Sequence, residues 1–390
     1  MEEIMFGKSV KLFTLFGFEV KVDISWLILA ILITWSLARG LFPYYFKNQT
    51  IITYWWMGVI GAIGLFFSII FHELWHSLIA RKYGLPIKGI TLFIFGGVAH
   101  MEEEPESAKV EFFMAIAGPL SSILLGGIFF CIRILGKGFG WTTSVTGVLG
   151  YLAFINWILA GFNLLPAFPL DGGRVLRSLL WRWKSNLRWA TQIASRIGSI
   201  FGIILIIMGI VQFFAGNFIV GIWWFMIGMF MQGAARSAYQ QLLTRQALEG
   251  ESVRDFMKVD PVTVTPDIKI EELVEDYMYK YHFKMFPVVE KGELIGCITT
   301  KEIKEIPRNQ WRSKTVGDLV DTCSSLNTIS SETDIIKALA IMNQTKNSRL
   351  MVVENHKLVG ILSLKDVMKF LSVKLDLDGY ENSKKEIISP

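Results

Sequence analysis

Six long apolar segments fill the first part of the chain, at about 24–42, 54–80, 110–134, 144–166, 193–214 and 217–235. A helix of ~20 apolar residues spans a bilayer core, so each segment is a candidate membrane helix. Polar residues interrupt the second and third. After about residue 250 the pattern turns to short alternations of apolar and charged positions, as in a water-exposed α/β protein. The pattern predicts a polytopic α-helical membrane domain over residues 1–235, a helical linker over 236–251, a soluble α/β region over 252–372 and a polar tail over 373–390. One stretch fits neither half. PIKGITLFIFGGVAHM, residues 86–101, is too short and too glycine-broken to span, and its β-branched and aromatic content predicts a short re-entrant β segment.

Composition sharpens this division. Hydrophobic residues make up 52% of the chain and the mean hydropathy is +0.44, too apolar for an ordinary soluble protein. Lys8, Lys11 and Lys21 precede the first span, and Arg81 and Lys82 follow the second. Arg174, Arg177, Arg182, Lys184 and Arg188 lie between the fourth and fifth, and Arg236 and Arg245 follow the sixth. The opposite ends carry only Lys47, Arg133 and Lys137. Basic residues favour the cytoplasmic side, so the expected topology is multi-pass in the cell membrane with both termini cytoplasmic. That bias also accounts for the net charge of +5 without a nucleic-acid partner. The N-terminus begins acidic, MEEIMFGKSV, and offers no small-residue cleavage site, which argues against a secretory signal. Cys131, Cys297 and Cys323 have no C-x-x-C spacing, so neither a disulfide framework nor a thiolate metal site is expected.

Chemistry enters at FHELWHSLIA, residues 71–80, near the end of the second span. Ionisable side chains inside membrane segments are costly and usually functional. His72 and His76, four apart, share one helix face and can hold one metal ion, with Glu73 beside them to take a proton from a water that the metal activates. Two imidazoles and a carboxylate suit zinc, which in catalytic sites keeps a fourth position open. Asp171, followed by Gly172 and Gly173, is the favoured third ligand. It is expected at the end of the fourth span, where Pro166 and Pro169 break the helix at the same depth as His72, which lies ~25 Å along its own helix. His100 and the run Glu102, Glu103 and Glu104 are the other candidates; His100 also suits a gate or a substrate contact.

H-E-L-W-H at 72–76 and N-L-L-P-A-F-P-L-D-G-G at 163–173, supported by FGGV at 95–98 and AGPLSS at 117–122, resemble the site-2 protease family of intramembrane zinc metalloproteases. The resemblance covers about residues 10–235. It implies cleavage of transmembrane protein substrates within the lipid bilayer, with His72, His76 and Asp171 as zinc ligands and Glu73 as the base. It also implies that Asn163 orients the substrate backbone or the water. Where the family commonly has an Asn after A-G-P, this chain has Ser121 and Ser122. The resemblance further places the strand around Phe95 to Val98 near the zinc, where an edge strand can pair with an unwound substrate peptide.

Residues 252 to about 372 contain an internal repeat, with copies at 252–308 and 309–372. FPVVEKGELIGCIT and LMVVENHKLVGILS are its matching hairpins. The copies resemble a tandem pair of CBS domains. That resemblance implies a cleft for an adenine nucleotide, ATP, ADP or AMP, acting as a regulator. Its ribose contacts would be Thr299 with Glu302 and Ser363 with Asp366. Glu302 departs from the usual Asp, and all four residue types also suit helix N-terminal caps. Self-association of the CBS pair into a homodimer is a further implication. His282 and His356 are expected to be exposed or structural, and D-L-D-G in the tail lacks calcium-loop spacing. A carrier or channel regulated by CBS domains would share this layout, but would carry inverted repeats and midplane charges that the spans do not show. A catalytically dead scaffold would be free to lose His72, Glu73, His76 and Asp171.

Overall fold

A computed structural model describes residues 10–85, 87–93, 96–101, 105–322, 327–355, 357–374 and 377. The chain divides into two compact units, Met1–Gln240 and Gln241–Pro390. Phe95, Glu102 to Glu104, Cys323, His356 and residues 378–390 of the tail lie outside the described residues, as does the side chain of His100.

The first unit opens on a hairpin that the hydropathy pattern did not reveal. β1 (Val10–Leu15) and β2 (Phe18–Val22) pair antiparallel around Phe16 and Gly17, both at positive φ, as a two-residue hairpin turn requires. β2 then pairs in parallel with β3 (Ile87–Phe93), and β3 pairs antiparallel with β4 (Gly96–Met101). The sheet order β1-β2-β3-β4 leaves β4 at an edge. The expected strand is therefore present, as part of a four-stranded sheet rather than an isolated re-entrant loop.

Among the described residues, six helices are long and apolar enough to cross a membrane. α1 is Ile24–Ser36, capped by Asp23, and the helical path continues through a π turn to Tyr45. α2 is Ile51–Lys82, α3 Ala108–Gly138, α4 Thr143–Asn163, α6 Leu187–Phe214 and α7 Phe218–Leu248. Between α4 and α6 stands α5, Asp171–Lys184, an amphipathic helix with Asp171 in its first turn and Arg182 and Lys184 in its last. This corrects one expectation. Asp171 does not end the fourth span, which stops at Asn163; it begins a separate helix after the Pro166–Pro169 turn. The break follows from the prolines, which lack the N–H that would continue the helix.

Phe18 and Val22 of β2 and Ile90 and Leu92 of β3 pack with Leu74 of α2, so the sheet lies against the helix that carries the H-E-x-x-H motif. The Arg81 guanidinium closes the arrangement, donating to the Phe16 carbonyl at 2.6 Å and standing over the Phe18 ring.

The second unit holds the two copies of the internal repeat, and their opening strands are exchanged. β5 (Lys258–Val259) belongs to the first copy yet pairs with β11 (Lys357–Ser363) of the second. β8 (Asp321–Thr322) belongs to the second copy yet pairs with β7 (Glu293–Thr299) of the first. The hairpin partners are β6 (Met285–Glu290) for β7 and β10 (Arg349–Glu354) for β11, while β9 (Thr328–Ile329) extends the second sheet beside β10. The cores follow the exchange. Val253 and Phe256 pack with Leu350, Val352 and Leu362 of the second copy, and Ala247 and Leu248 at the end of α7 join that same core.

Candidate metal centre

The H-E-x-x-H turn sits two-thirds of the way along α2, with His72 and His76 buried and Glu73 half-buried. Asp171 meets both histidines. Its Oδ2 lies 3.0 Å from His72 Nε2 and 3.2 Å from His76 Nε2, and the two Nε2 atoms are 3.1 Å apart. One ligand atom from each residue thus falls within 4.8 Å of the others.

α3 supplies the frame. Met114, Gly118 and Ser122 recur every four residues, so they form one stripe along that helix. His76 Nδ1 lies 2.6 Å from the Met114 carbonyl, and His72 Nδ1 lies 2.9 Å from Ser122 Oγ. A carbonyl only accepts, so His76 Nδ1 carries the hydrogen and a neutral ring turns the lone pair of Nε2 toward Asp171. Gly118 makes the approach possible: a Cβ there would collide with Nε2 of both histidines.

Asp171 is held with similar closeness. A side chain on Gly172 would strike the carbonyls of Leu164 and Leu165, and one on Gly173 would strike the backbone of Ala167 and Phe168. The Asp-Gly-Gly run therefore reflects the tight packing of the start of α5 beneath the proline turn. Its helix N-terminus is also a favourable place for a carboxylate.

These donors fit zinc. Two neutral imidazole nitrogens and a carboxylate oxygen converging on one point repel one another unless a cation lies among them, and tethering each ring by its other nitrogen is the usual support of a metal-bound histidine.

Sequence comparison identifies the architecture. The profile of Peptidase family M50 matches residues 60–147 and 136–208, and the CBS domain profile matches 253–308 and 316–373. Rip3 of Mycobacterium tuberculosis, provisionally named a zinc metalloprotease, is 33% identical over 92% of this chain and 91% of its own length. The chain belongs to peptidase family M50. Zinc metalloprotease MJ0392 of Methanocaldococcus jannaschii is 32% identical over 94% of this chain and 96% of its own. A solved site-2 protease from the same organism, 30% identical, covers 60% of this chain and 95% of that one with a TM-score of 0.43. Family membership and six membrane-length helices together make the chain a membrane-embedded metalloprotease followed by a CBS pair.

Other residues singled out in the M50 chain fall elsewhere. Asn163 is the last residue of α4, half-buried, and no hydrogen bond joins it to the histidines among the described residues. A different asparagine, Asn156, is buried on the same helix. It donates to Ser68 Oγ at 2.9 Å, one turn before His72, and to the Leu152 carbonyl at 2.8 Å. His100 lies on β4, paired through its backbone with Gly89. Gly118 was legible as a close-approach glycine of the A-G-P run, whereas Met114 and Ser122 were missed as contributors; the available signal was the face they share with Gly118.

In the CBS pair, both proposed ribose-binding pairs are joined within themselves. Thr299 donates from its backbone and its hydroxyl to Glu302, at 2.8 and 2.5 Å, as a capping box for the helix Thr300–Lys304. Ser363 Oγ donates to Asp366 Oδ2 at 2.5 Å, and Lys258 Nζ lies 3.2 Å from the other oxygen. Burial works to raise the Asp366 carboxyl, but the Ser363 hydroxyl and the Lys258 ammonium outweigh it and hold the group below its ordinary value.

Proposed function

We propose that His72, His76 and Asp171 hold one zinc ion and that Glu73 is the general base for hydrolysis of peptide bonds in transmembrane protein substrates. The convergence of two tethered imidazoles and one carboxylate oxygen supports this reading most directly. Three protein ligands leave a position for water or substrate, as in catalytic zinc sites. A bound zinc ion supplies Lewis-acid chemistry, lowering the pKa of water and polarising a carbonyl. Glu73 follows His72 on the same helical turn. It takes the proton of the attacking water and returns it to the amine that leaves. Asn163 orients the substrate backbone or the water, an assignment that rests on the family motif.

A helical substrate keeps its peptide bonds shielded, so it must be unwound before it is cut. Among the described residues β4 is an edge strand of a sheet packed on α2, and an edge strand can take an extended peptide by strand addition. The basic loops favour both termini on the cytoplasmic side of the cell membrane.

The test is cleavage of a single-span reporter by the full chain in liposomes. Zinc removal should abolish cleavage and zinc resupply should restore it. Glu73→Gln should retain zinc and slow cleavage by about 100-fold or more, the usual weight of a general base. Undiminished cleavage by the variant would overturn the assignment.

The CBS pair is proposed to sense ATP, ADP or AMP, with Ser363 and Asp366 as the better ribose site. A ribose on Asp366 must compete with Lys258, which lies on β5 ten residues after the last residue of α7. Ala247 and Leu248 of that helix pack in the same core as β11. Occupancy is thus positioned to alter the end of the linker. Equal cleavage rates with each nucleotide at saturation and with none would contradict this regulation.

A further inference from the structure

Glu111 is fully buried in the first turn of α3, an unusual place for a carboxylate unless it is paired. Its partner is Arg177 of α5, itself buried. Arg177 Nε donates to Glu111 Oε1 at 2.6 Å, Nη2 closes on the same oxygen, and Arg174 Nε stands 3.8 Å away. The Arg177 guanidinium also lies 5.3 Å from the centre of the Phe168 ring, three residues before Asp171. One side chain therefore grips both the turn that leads into Asp171 and the helix that begins there.

Glu111 extends the stripe of α3 described above. It lies one turn before Met114, so Glu111, Met114, Gly118 and Ser122 all fall on one face. From that face Met114 tethers His76, Ser122 tethers His72, and Gly118 makes room for both rings. Glu111 is the member of the stripe that reaches α5. The two histidines and the aspartate come from helices distant in sequence, and this face is what they have in common.

We infer that Glu111 is a positioning residue of the metal site: through Arg177 it fixes the start of α5, so that Asp171 is presented to His72 and His76 from the same helical face that orients them. The inference rests on the zinc reading of these three residues. Among the described residues no hydrogen bond or ion pair joins Glu111 to the proposed ligand atoms; it acts through Arg177, with Arg174 as a more distant charge on the same helix.

The experiment is zinc retention by the full chain in detergent, titrated with a competing chelator, for the parent and for Glu111→Gln. Thermal unfolding of the zinc-free proteins is followed alongside. Loss of the ion pair should raise the apparent zinc dissociation constant by about tenfold or more, as removal of a supporting partner commonly does. Because Glu111→Gln strands the Arg177 charge, the double variant Glu111→Gln/Arg177→Met is run as well; an apolar replacement for both partners of a buried pair is often tolerated by the fold. The double variant should fold and still hold zinc more weakly. Parent-like zinc affinity in the double variant would overturn the inference and make the pair a folding element only. A parent that binds no zinc while folded would instead overturn the metal reading itself, and Asp171→Ala separates the two by removing a ligand directly.

Discussion

Ser122 Oγ lies 2.9 Å from Nδ1 of His72, across the packing of the third membrane helix on the second. Ser122 is buried, so the ring has no water to turn to if this partner is lost. With Nδ1 satisfied by the hydroxyl, Nε2 is left to face Asp171. Ser122→Ala should therefore weaken zinc retention by about tenfold in chelator competition, within the usual range for a supporting hydrogen bond. Ser121→Ala is the control: its hydroxyl bonds the Gly118 carbonyl of its own helix, and zinc retention should stay near the parent value.

Gly118→Ala tests the space rather than the hydrogen bonds. Alanine favours a helix interior by about 1 kcal/mol over glycine, so the helix itself gains. The added methyl meets Nε2 of both histidines, however, and they cannot retreat without giving up Met114 and Ser122. The expected outcome is unchanged helicity by circular dichroism with zinc and cleavage both lost. Gly127→Ala, on the same helix with nothing near its added carbon, should leave both unchanged.

Much of this site was legible in the chain itself. H-E-x-x-H declares its own geometry, because four-residue spacing on a helix puts both imidazoles on one face whatever surrounds them. Asp171 was legible as a partner but not in its setting: the prolines showed where a helix must stop, while nothing local showed that a new helix would start at the aspartate. Ser122 and Met114 were hidden for a different reason. Their roles depend on which face of α3 meets α2, and an apolar span buried on one side and bathed in lipid on the other has little polar contrast to show it. The hairpin of β1 and β2 was overlooked beside the stronger signal of the spans, although Phe18, Val20 and Val22 alternate with half-buried positions as a strand should. The exchange of opening strands between the CBS copies cannot be read from a repeat, since either copy offers the same pattern to either sheet.

The acid behaviour of the soluble unit gives a prediction independent of zinc. Ser363 and Lys258 hold the Asp366 carboxyl below its ordinary value, against the effect of burial. A group depressed in the folded state contributes stability above its unfolded pKa, about 3.9, and loses that contribution as pH falls through the folded value. Asp366→Asn should therefore reduce protection of the helix over residues 364–374 at neutral pH, as read by hydrogen exchange. The difference from the parent should shrink as pH falls from about 5 to about 3. A difference that stayed constant through this range would mean that the carboxylate charge contributes nothing there.

The central claim is that three residues from two helices hold one metal ion. Its most direct test is the zinc content of the detergent-purified chain beside an Asp171→Ala variant, each checked for folding, and it requires no known substrate. The account predicts about one zinc per parent chain, as a three-ligand catalytic site holds, and a marked loss in the variant. A folded parent that takes up no zinc when it is resupplied, or a variant that keeps its zinc in full, would contradict it.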